Sequence, residues 1–253
     1  MTTEDLVLVV DPTWLPDEVL AIQREVEQIR QGREVYLLFT HHDFDHILGY
    51  GAFSDAKVIG NHLTATLSDE VKQTAIQQIH AFDQKYYLKR NYPVTFPRFD
   101  YKISRDGEVI QVGQTQLTFY LAPGHTLDGL FCIVEPLGIF IAGDYLSNIE
   151  FPYIYHSSEA YEQTLHKIKL VLNNHDIRLL IPGHGQVTSS QAEMIQRKDQ
   201  GLEYIRNLRD AVAHHNLAWL EKYFAQYPFP LGMKPFHEEN IKLVQKELQK
   251  EGE

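Results

Sequence analysis

Between positions 41 and 46 the chain reads His41-His42-Asp43-Phe44-Asp45-His46, three imidazoles and two carboxylates set directly behind an apolar run. Donors this dense are metal-ligand chemistry, and a short segment cannot fill an ion's coordination sphere alone. More ligands must come from elsewhere. Ligand-type side chains recur as His125 in Ala122-Pro123-Gly124-His125-Thr126, Asp144 in Ala142-Gly143-Asp144, and His184 in Pro182-Gly183-His184-Gly185.

Each of these follows its own apolar run. Tyr36–Phe39, Leu117–Leu121, Gly138–Ala142 and Ile177–Ile181 are short and rich in β-branched or aromatic residues, which predicts buried strands ending in turns. Loops that leave the strands of packed sheets can converge on one edge, where a rigid scaffold supports chemistry. Residues 41 and 43, two apart in an extended loop, can point the same way, while Asp45 and His46 turn toward a second ion. This spacing allows His41, Asp43 and His125 on one ion, Asp45, His46 and His184 on the other, and Asp144 bridging them. Paired ions roughly 3.5–4 Å apart are a recurrent device for activating water and holding a leaving group.

The ordered pattern resembles the metallo-β-lactamase superfamily over about residues 6–190. That family carries an early Asp at a strand end, a His-x-His-x-Asp-His motif, a lone His, a bridging Asp and a final His. Asp11, the 41–46 motif, His125, Asp144 and His184 match these in order. The resemblance implies an α/β fold, a four-layer αββα sandwich, over residues 1–190, with 191–253 a helical extension packed on it. It also implies a metal-dependent hydrolase whose hydroxide, shared by two ions, attacks a small ester, thioester, lactone or related substrate. Asp45 would orient that water or take its proton while also ligating. Asp11 reads as a residue that orients a ligating histidine. Tyr145, Tyr153, Tyr155 and His156, close behind the bridging Asp, are candidate substrate contacts, with packing an equal alternative.

The chain departs from the family in two places. Asp43 stands where the motif has its second His. A carboxylate there adds negative charge and a harder donor, lowering the ion's Lewis acidity and shifting preference toward iron or manganese; zinc, which accepts carboxylate oxygen, stays first. His42 could compensate, although its neighbour position should aim it elsewhere. A family branch with Glu at this position holds two irons and reduces dioxygen or nitric oxide, but through a flavin domain absent here. An iron-dependent redox enzyme and a non-catalytic metal-containing binding domain are therefore the alternatives. The second departure is at the start, where only Met1–Val10 precede the early Asp. An uncovered sheet edge would invite another chain and hints at a homodimer.

Composition narrows the partners. With 253 residues, 43% of them hydrophobic, the chain can bury one sizeable core plus an appendage. A formal net charge of −11 opposes binding to phosphate backbones, so a small-molecule substrate is expected and nucleic acid is not. The one cysteine, Cys132, lies in Leu130–Val134 and reads as a buried strand residue rather than a redox centre. No signal-like or membrane-spanning run is seen, and cytoplasm is the default location. His62, His80, His156, His166, His175, His214, His215 and His237 have no partner pattern and read as surface or packed imidazoles, His156 being also the candidate substrate contact named above.

Helical spacing appears in Pro16–Arg30, in a longer polar stretch over Leu63–Leu88 with Ile76 and Ile79 inward, and in Ala160–Leu172. Glu108–Leu121 predicts a hairpin turning at Gly113-Gln114. Beyond Gln191 a helix through Val212, a segment Leu217–Tyr227 and a last helix through Ile241, Val244 and Leu248 are expected. Pro228–Phe236 reads as an apolar loop able to border a pocket. By position this tail is similar to the helical appendages of glyoxalase II-type thioester hydrolases, though no basic cluster for glutathione stands out.

Overall fold

The computed structural model describes residues 1–216, 225 and 227–251. The chain forms two compact units, Met1–Leu121 with Asp128–Pro136, and Ala122–Leu127 with Leu137–Glu253. Strands gather into two sheets with helices between and around them in sequence, the mixed α/β class that the sequence implies.

In the first unit, β1 (Leu6–Val10), β2 (Glu34–Leu38), β3 (Lys57–Asn61) and β4 (Tyr101–Ile103) pair in parallel in that order. Leu6, Leu8, Leu37, Leu38 and Ile59 are wholly buried. Such runs, apolar on both faces, belong to a parallel sheet covered on both sides. Between β1 and β2 runs α1 (Pro16–Ile29), with Pro16 in its first turn and Glu18 accepting the Leu15 N–H at 3.2 Å. Both features favour a helix start. Pro16, Val19 and Val26 are its buried residues, the two valines seven apart on one face.

The short helix α2 (Phe44–Ile47) holds the second half of the 41–46 motif. The stretch expected as one helix over Leu63–Leu88 is two, α3 (His62–Thr66) and α4 (Asp69–Tyr86). Leu67 is extended at the break, and Ser68 caps α4 by accepting the Val71 N–H at 3.3 Å. A serine that satisfies the backbone from outside a helix competes with continuing it. Ile79 is wholly buried and Ile76 half-buried.

Three antiparallel strands complete this unit, β5 (Glu108–Val112), β6 (Thr115–Leu121) and β7 (Leu130–Glu135). Val112 pairs with Thr115 across the Gly113-Gln114 turn. Gly113 has φ 56°, and a Cβ there would strike the Asp5 carboxylate. Asp5 Oδ2 accepts the Gln114 and Thr115 N–H groups at 2.9 Å and the Thr115 hydroxyl at 2.8 Å. One carboxylate therefore ties the approach to β1 onto the β5–β6 turn. Cys132 is wholly buried in β7, and burial pushes its thiol pKa up.

The outer edge of β1 is not open. Residues 1–3 fold back on it: the Met1 amino group donates to Leu8 O at 2.8 Å, Leu8 N–H to Met1 O at 3.0 Å, and Thr3 N–H to Leu6 O at 3.0 Å. The edge that the sequence left for another chain is paired by the protein's own first residues.

In the second unit, β8 (Ile139–Ile141) pairs in parallel with β9 (Leu179–Ile181), and α5 (Ser158–Asn174) runs between them. Ser157 and Ser190 cap α5 and α6 (Gln191–Ala213) by accepting the Ala160 and Glu193 N–H groups. Gly201 of α6 lies where a Cβ would meet Leu165 of α5 at 3.0 Å. The last helix, α7 (Pro230–Glu251), begins earlier than expected. Of the predicted loop Pro228–Phe236 only Pro228 and Phe229 lie outside it, and Pro235 lies within its early turns. Pro230 stands at the first helical position, where its missing N–H has no helical partner, whereas Pro235 lies inside the helix, so proline content alone misreads this segment. Most of the expected segment Leu217–Tyr227 lies outside the described residues. Among those described, no helix is long and apolar enough to cross a membrane.

The Asp5 contacts give a direct test. Asp5→Ala strips three donors of their acceptor and should cost about 1–3 kcal/mol, seen as a lower urea midpoint with an unchanged slope.

Candidate metal centre

In the first unit the geometry is built around Asp11, which follows β1 with φ 41°, a left-handed conformation unusual for a residue with a side chain. Its Oδ1 accepts the Thr40 N–H at 2.9 Å; its Oδ2 accepts the Thr40 hydroxyl at 2.6 Å and lies 2.9 Å from His46 Nδ1. Because the Thr40 hydroxyl donates to Asp11, it is left to accept from His41 Nδ1, 3.1 Å away. Both rings therefore carry their proton on Nδ1, and Nε2 of each presents a lone pair. His41 Nε2 lies 3.6 Å from Asp43 Oδ2, and His46 Nε2 lies 3.7 Å from Asp45 Oδ2. The two rings pack with centroids 4.0 Å apart. All four motif donors thus lie close together within this unit.

His42 is aimed elsewhere. Its Nδ1 lies 2.8 Å from Asp128 Oδ1, and the other Asp128 oxygen accepts the Thr64 hydroxyl at 2.5 Å. Asp128 is wholly buried. Burial pushes its carboxyl pKa up, but the hydrogen bond and charge of His42, with the Thr64 hydroxyl, outweigh burial and hold it below the ordinary value.

In the second unit His125, Asp144 and His184 come together. Asp144 Oδ2 lies 3.3 Å from His125 Nε2 and 3.4 Å from His184 Nε2. His125 Nδ1 donates to the Tyr153 carbonyl at 2.7 Å, which again leaves the lone pair on Nε2. Gly183 stands where any Cβ would collide with Asp144 Oδ1, so glycine is required for the carboxylate to sit there.

The four aromatic candidates behind Asp144 differ in placement. Tyr145 is buried, its hydroxyl accepting the His125 N–H at 3.1 Å and lying within 3.1 Å of the Ala122 and Pro123 carbonyls, so it braces the loop that bears His125. Tyr153 lines a cavity that also reaches Asp144. Tyr155 is exposed, its ring centroid 5.0 Å from that of His125, and His156 is exposed as well.

Sequence reasoning missed three residues that hold this arrangement. Thr40 relays Asp11 to His41, and Asp128 fixes His42; Thr40 directly precedes the motif and Asp128 closely follows His125, so proximity could have flagged them. Asn240 on α7 carries no such signal. Its Oδ1 accepts the Ile154 N–H at 2.8 Å and its Nδ2 donates to the Pro152 carbonyl at 2.7 Å, bracketing the residue whose carbonyl orients His125.

This geometry fits a bound cation. With Nδ1 of His41, His46 and His125 engaged by Thr40, Asp11 and the Tyr153 carbonyl, their Nε2 atoms face carboxylate oxygens at 3.3 to 3.7 Å, from where nitrogen and oxygen can share one cation. Oriented imidazole nitrogens with carboxylate oxygens are a donor set for zinc, iron or manganese.

A family model described as metallo-beta-lactamase superfamily matches residues 1–190. Comparison with curated proteins gives no match. Among solved structures, a metallo-beta-lactamase family protein from Thermus thermophilus is 17% identical with a TM-score of 0.65, covering 97% of this chain and 84% of its own. A metallo-beta-lactamase with a HARLDQ motif from Cronobacter sakazakii is 17% identical with a TM-score of 0.58, over 83% of this chain and 86% of its own. A third, from Pontibacter korlensis, is 14% identical with a TM-score of 0.56, over 82% and 85%. At these identities the likeness is one of fold.

Two outcomes are expected. Asp11→Ala frees His46 and, through Thr40, His41, and should weaken metal binding about 10- to 100-fold in competition with a chromophoric chelator. Because Asp128 has a depressed folded pKa, its contribution to stability is present above the ordinary carboxylate pKa and lost as pH falls through the folded value. Urea midpoints should fall on acidification, and Asp128→Asn should flatten that part of the profile.

Proposed function

Since the chain belongs to the metallo-beta-lactamase superfamily, we propose that it is a metal-dependent hydrolase of small esters, thioesters, lactones or related acyl compounds, working with two divalent ions. Membership supports a metal-dependent, hydrolase-like function in general. What favours two ions on acyl substrates is chiefly that His125 and His184 face the same oxygen of Asp144 at 3.3 and 3.4 Å, with the His125 proton held on the far side of its ring by Tyr153.

His41, Asp43 and His125 would hold one ion, Asp45, His46 and His184 the other, and Asp144 would serve both. When bound, such a pair supplies Lewis acidity and lowers the pKa of water near neutrality. The protein's own part is orientation. Asp11 and the Tyr153 carbonyl fix ring directions in advance, so no reorganisation is needed during reaction. Asp45, its side chain 13% exposed and beside His46, would orient the attacking water and take its proton while also ligating. Zinc is the first expectation for the metal. Asp43 supports a second reading, since its carboxylate stands beside His41 where an imidazole is usual; an iron-dependent redox enzyme would use the harder donor.

Elemental analysis of protein purified without added metal, followed by assay on thioesters, esters and lactones, tests this function. Two zinc per chain with hydrolysis supports it; iron with dioxygen uptake supports the redox reading; no metal after reconstitution overturns both. Asp43→His should raise zinc affinity and hydrolysis, and unchanged metal content and kinetics in that variant would remove Asp43 from the ligand set.

A further inference from the structure

Two loops of the second unit carry Asp144 and His184, and they lie against one another. The Gly183 N–H donates to the Gly143 carbonyl at 2.7 Å, and the Gln186 N–H donates to Asn148 Oδ1 at 2.8 Å. The glycines on either side of His184 both face the other loop. A Cβ on Gly183 would strike Asp144 Oδ1, and one on Gly185, at φ 101°, would strike Asn148 Oδ1. Both glycines are therefore required by the close approach of the two loops. Contact alone does not account for Leu146, which stands at φ 60°, a left-handed conformation that a leucine keeps only where its surroundings impose it.

Arg197 of α6 imposes it. Its Nη1 donates to the Leu146 carbonyl at 3.1 Å and to the Gln186 carbonyl at 2.8 Å, so one nitrogen holds the residue two past Asp144 and the residue two past His184. The rest of the guanidinium is fixed from behind. Nε and Nη2 donate to Glu193 Oε1 at 3.1 and 2.5 Å, and Glu193 Oε2 accepts the Thr188 hydroxyl at 2.6 Å. Thr188 pairs with Leu180 through both backbone groups, at 2.8 and 3.2 Å, which closes the base of the His184 loop onto β9. The Thr188 hydroxyl and then the Arg197 side chain hold the Glu193 carboxyl pKa below its ordinary value.

A Glu–Arg pair four residues apart on a helix ordinarily lies in water and contributes little. Here the Arg197 side chain is 2% exposed and that of Glu193 is 40% exposed, so the cation has been drawn inward while its partner stays at the surface. Taking a guanidinium out of water is costly unless its donors are met, and the two carbonyls meet them. We propose that Arg197 is a positioning residue of the metal centre: by tying the Leu146 and Gln186 carbonyls to one nitrogen it sets the separation of Asp144 and His184, whose Oδ2 and Nε2 lie 3.4 Å apart. The inference rests on the two-ion reading for the word metal, but the clasp itself is measurable without an ion. Arg197 lies beyond residues 1–190, so this donor pair is set by a residue of the helical extension.

Amide hydrogen exchange on the metal-free protein and metal titration against a chromophoric chelator test the proposal together, on Arg197→Met, Arg197→Lys and Glu193→Gln. Asp5→Ala serves as the comparison, a destabilised variant whose lost bonds go to Gln114 and Thr115. Arg197→Met should speed exchange at the Gly183 and Gln186 amides about 3- to 10-fold with no matching change in β6 and β7. It should also weaken one of the two ions about tenfold or more and shift the visible bands of the cobalt(II) form. Arg197→Lys keeps the charge and a donor but not the planar fork, and should fall between Arg197→Met and the wild type. Glu193→Gln should weaken the same ion about 2- to 5-fold. Asp5→Ala should leave the ions as they are. Unchanged exchange at both amides in the Arg197 variants overturns the proposal, as does changed exchange with unchanged metal affinity and cobalt bands, or a loss of metal matched by Asp5→Ala. If Arg197→Met does not fold, Arg197→Lys and Glu193→Gln decide the matter by the same readings. A wild-type protein that takes up no metal overturns the two-ion reading instead, and the clasp is then decided by exchange alone.

Discussion

The geometry of the first unit depends on a single carboxylate. Asp11 leaves β1 in a left-handed conformation and is held there by its side-chain contacts to Thr40 N, Thr40 Oγ1 and His46 Nδ1, shared between its two oxygens. Backbone strain of this kind costs of the order of 1–3 kcal/mol and persists where its surroundings over-determine it. Two parallel strands deliver the parties: Val10 is paired with Leu38, so Asp11 and Thr40 leave the same end of adjacent strands. Without that register the carboxylate would not meet the loop that begins the histidine motif.

Each unit carries part of the donor set and solves the same problem by different means. An imidazole binds metal only with the proper nitrogen unprotonated, and the ring cannot choose by itself. In the first unit a carboxylate and a threonine hydroxyl fix the choice; in the second a main-chain carbonyl does. A carboxylate makes its histidine a stronger electron donor than a neutral carbonyl does, so ions held by these rings would differ in character even with identical ligand types. Asp43 adds to the asymmetry by placing a charged oxygen where the superfamily motif has a neutral nitrogen.

Much of this was legible in the sequence because the signals were local. Apolar runs with Gly, Pro or His at their ends marked β2, β6, β8 and β9, and the donors followed in the superfamily's order. What could not be read was set by distant partners or by competing local bonds. Ser68 divides one amphipathic stretch into two helices through a hydrogen bond that competes with propensity. Residues 1–3 cover the β1 edge through backbone groups that carry no side-chain signature. Pro230 and Pro235 looked like loop residues because composition does not reveal where a helix begins. Tyr145 sat in the right place to face a substrate, yet its hydroxyl meets main-chain atoms that only the folded 122–125 loop brings near.

The hold of α7 on the segment before α5 bears on what can be inherited or exchanged as a block. Asn240 brackets Tyr153 from 86 to 88 residues away, and Tyr153 in turn sets the bearing of the His125 ring. A chain cut or recombined after residue 190, where the family match ends, would keep all seven candidate donors and the Tyr153 carbonyl but lose the Asn240 side chain that brackets Tyr153. Recombination that respects the motif but swaps the helical extension would therefore leave every candidate donor in place and change what holds the His125 ring in its bearing.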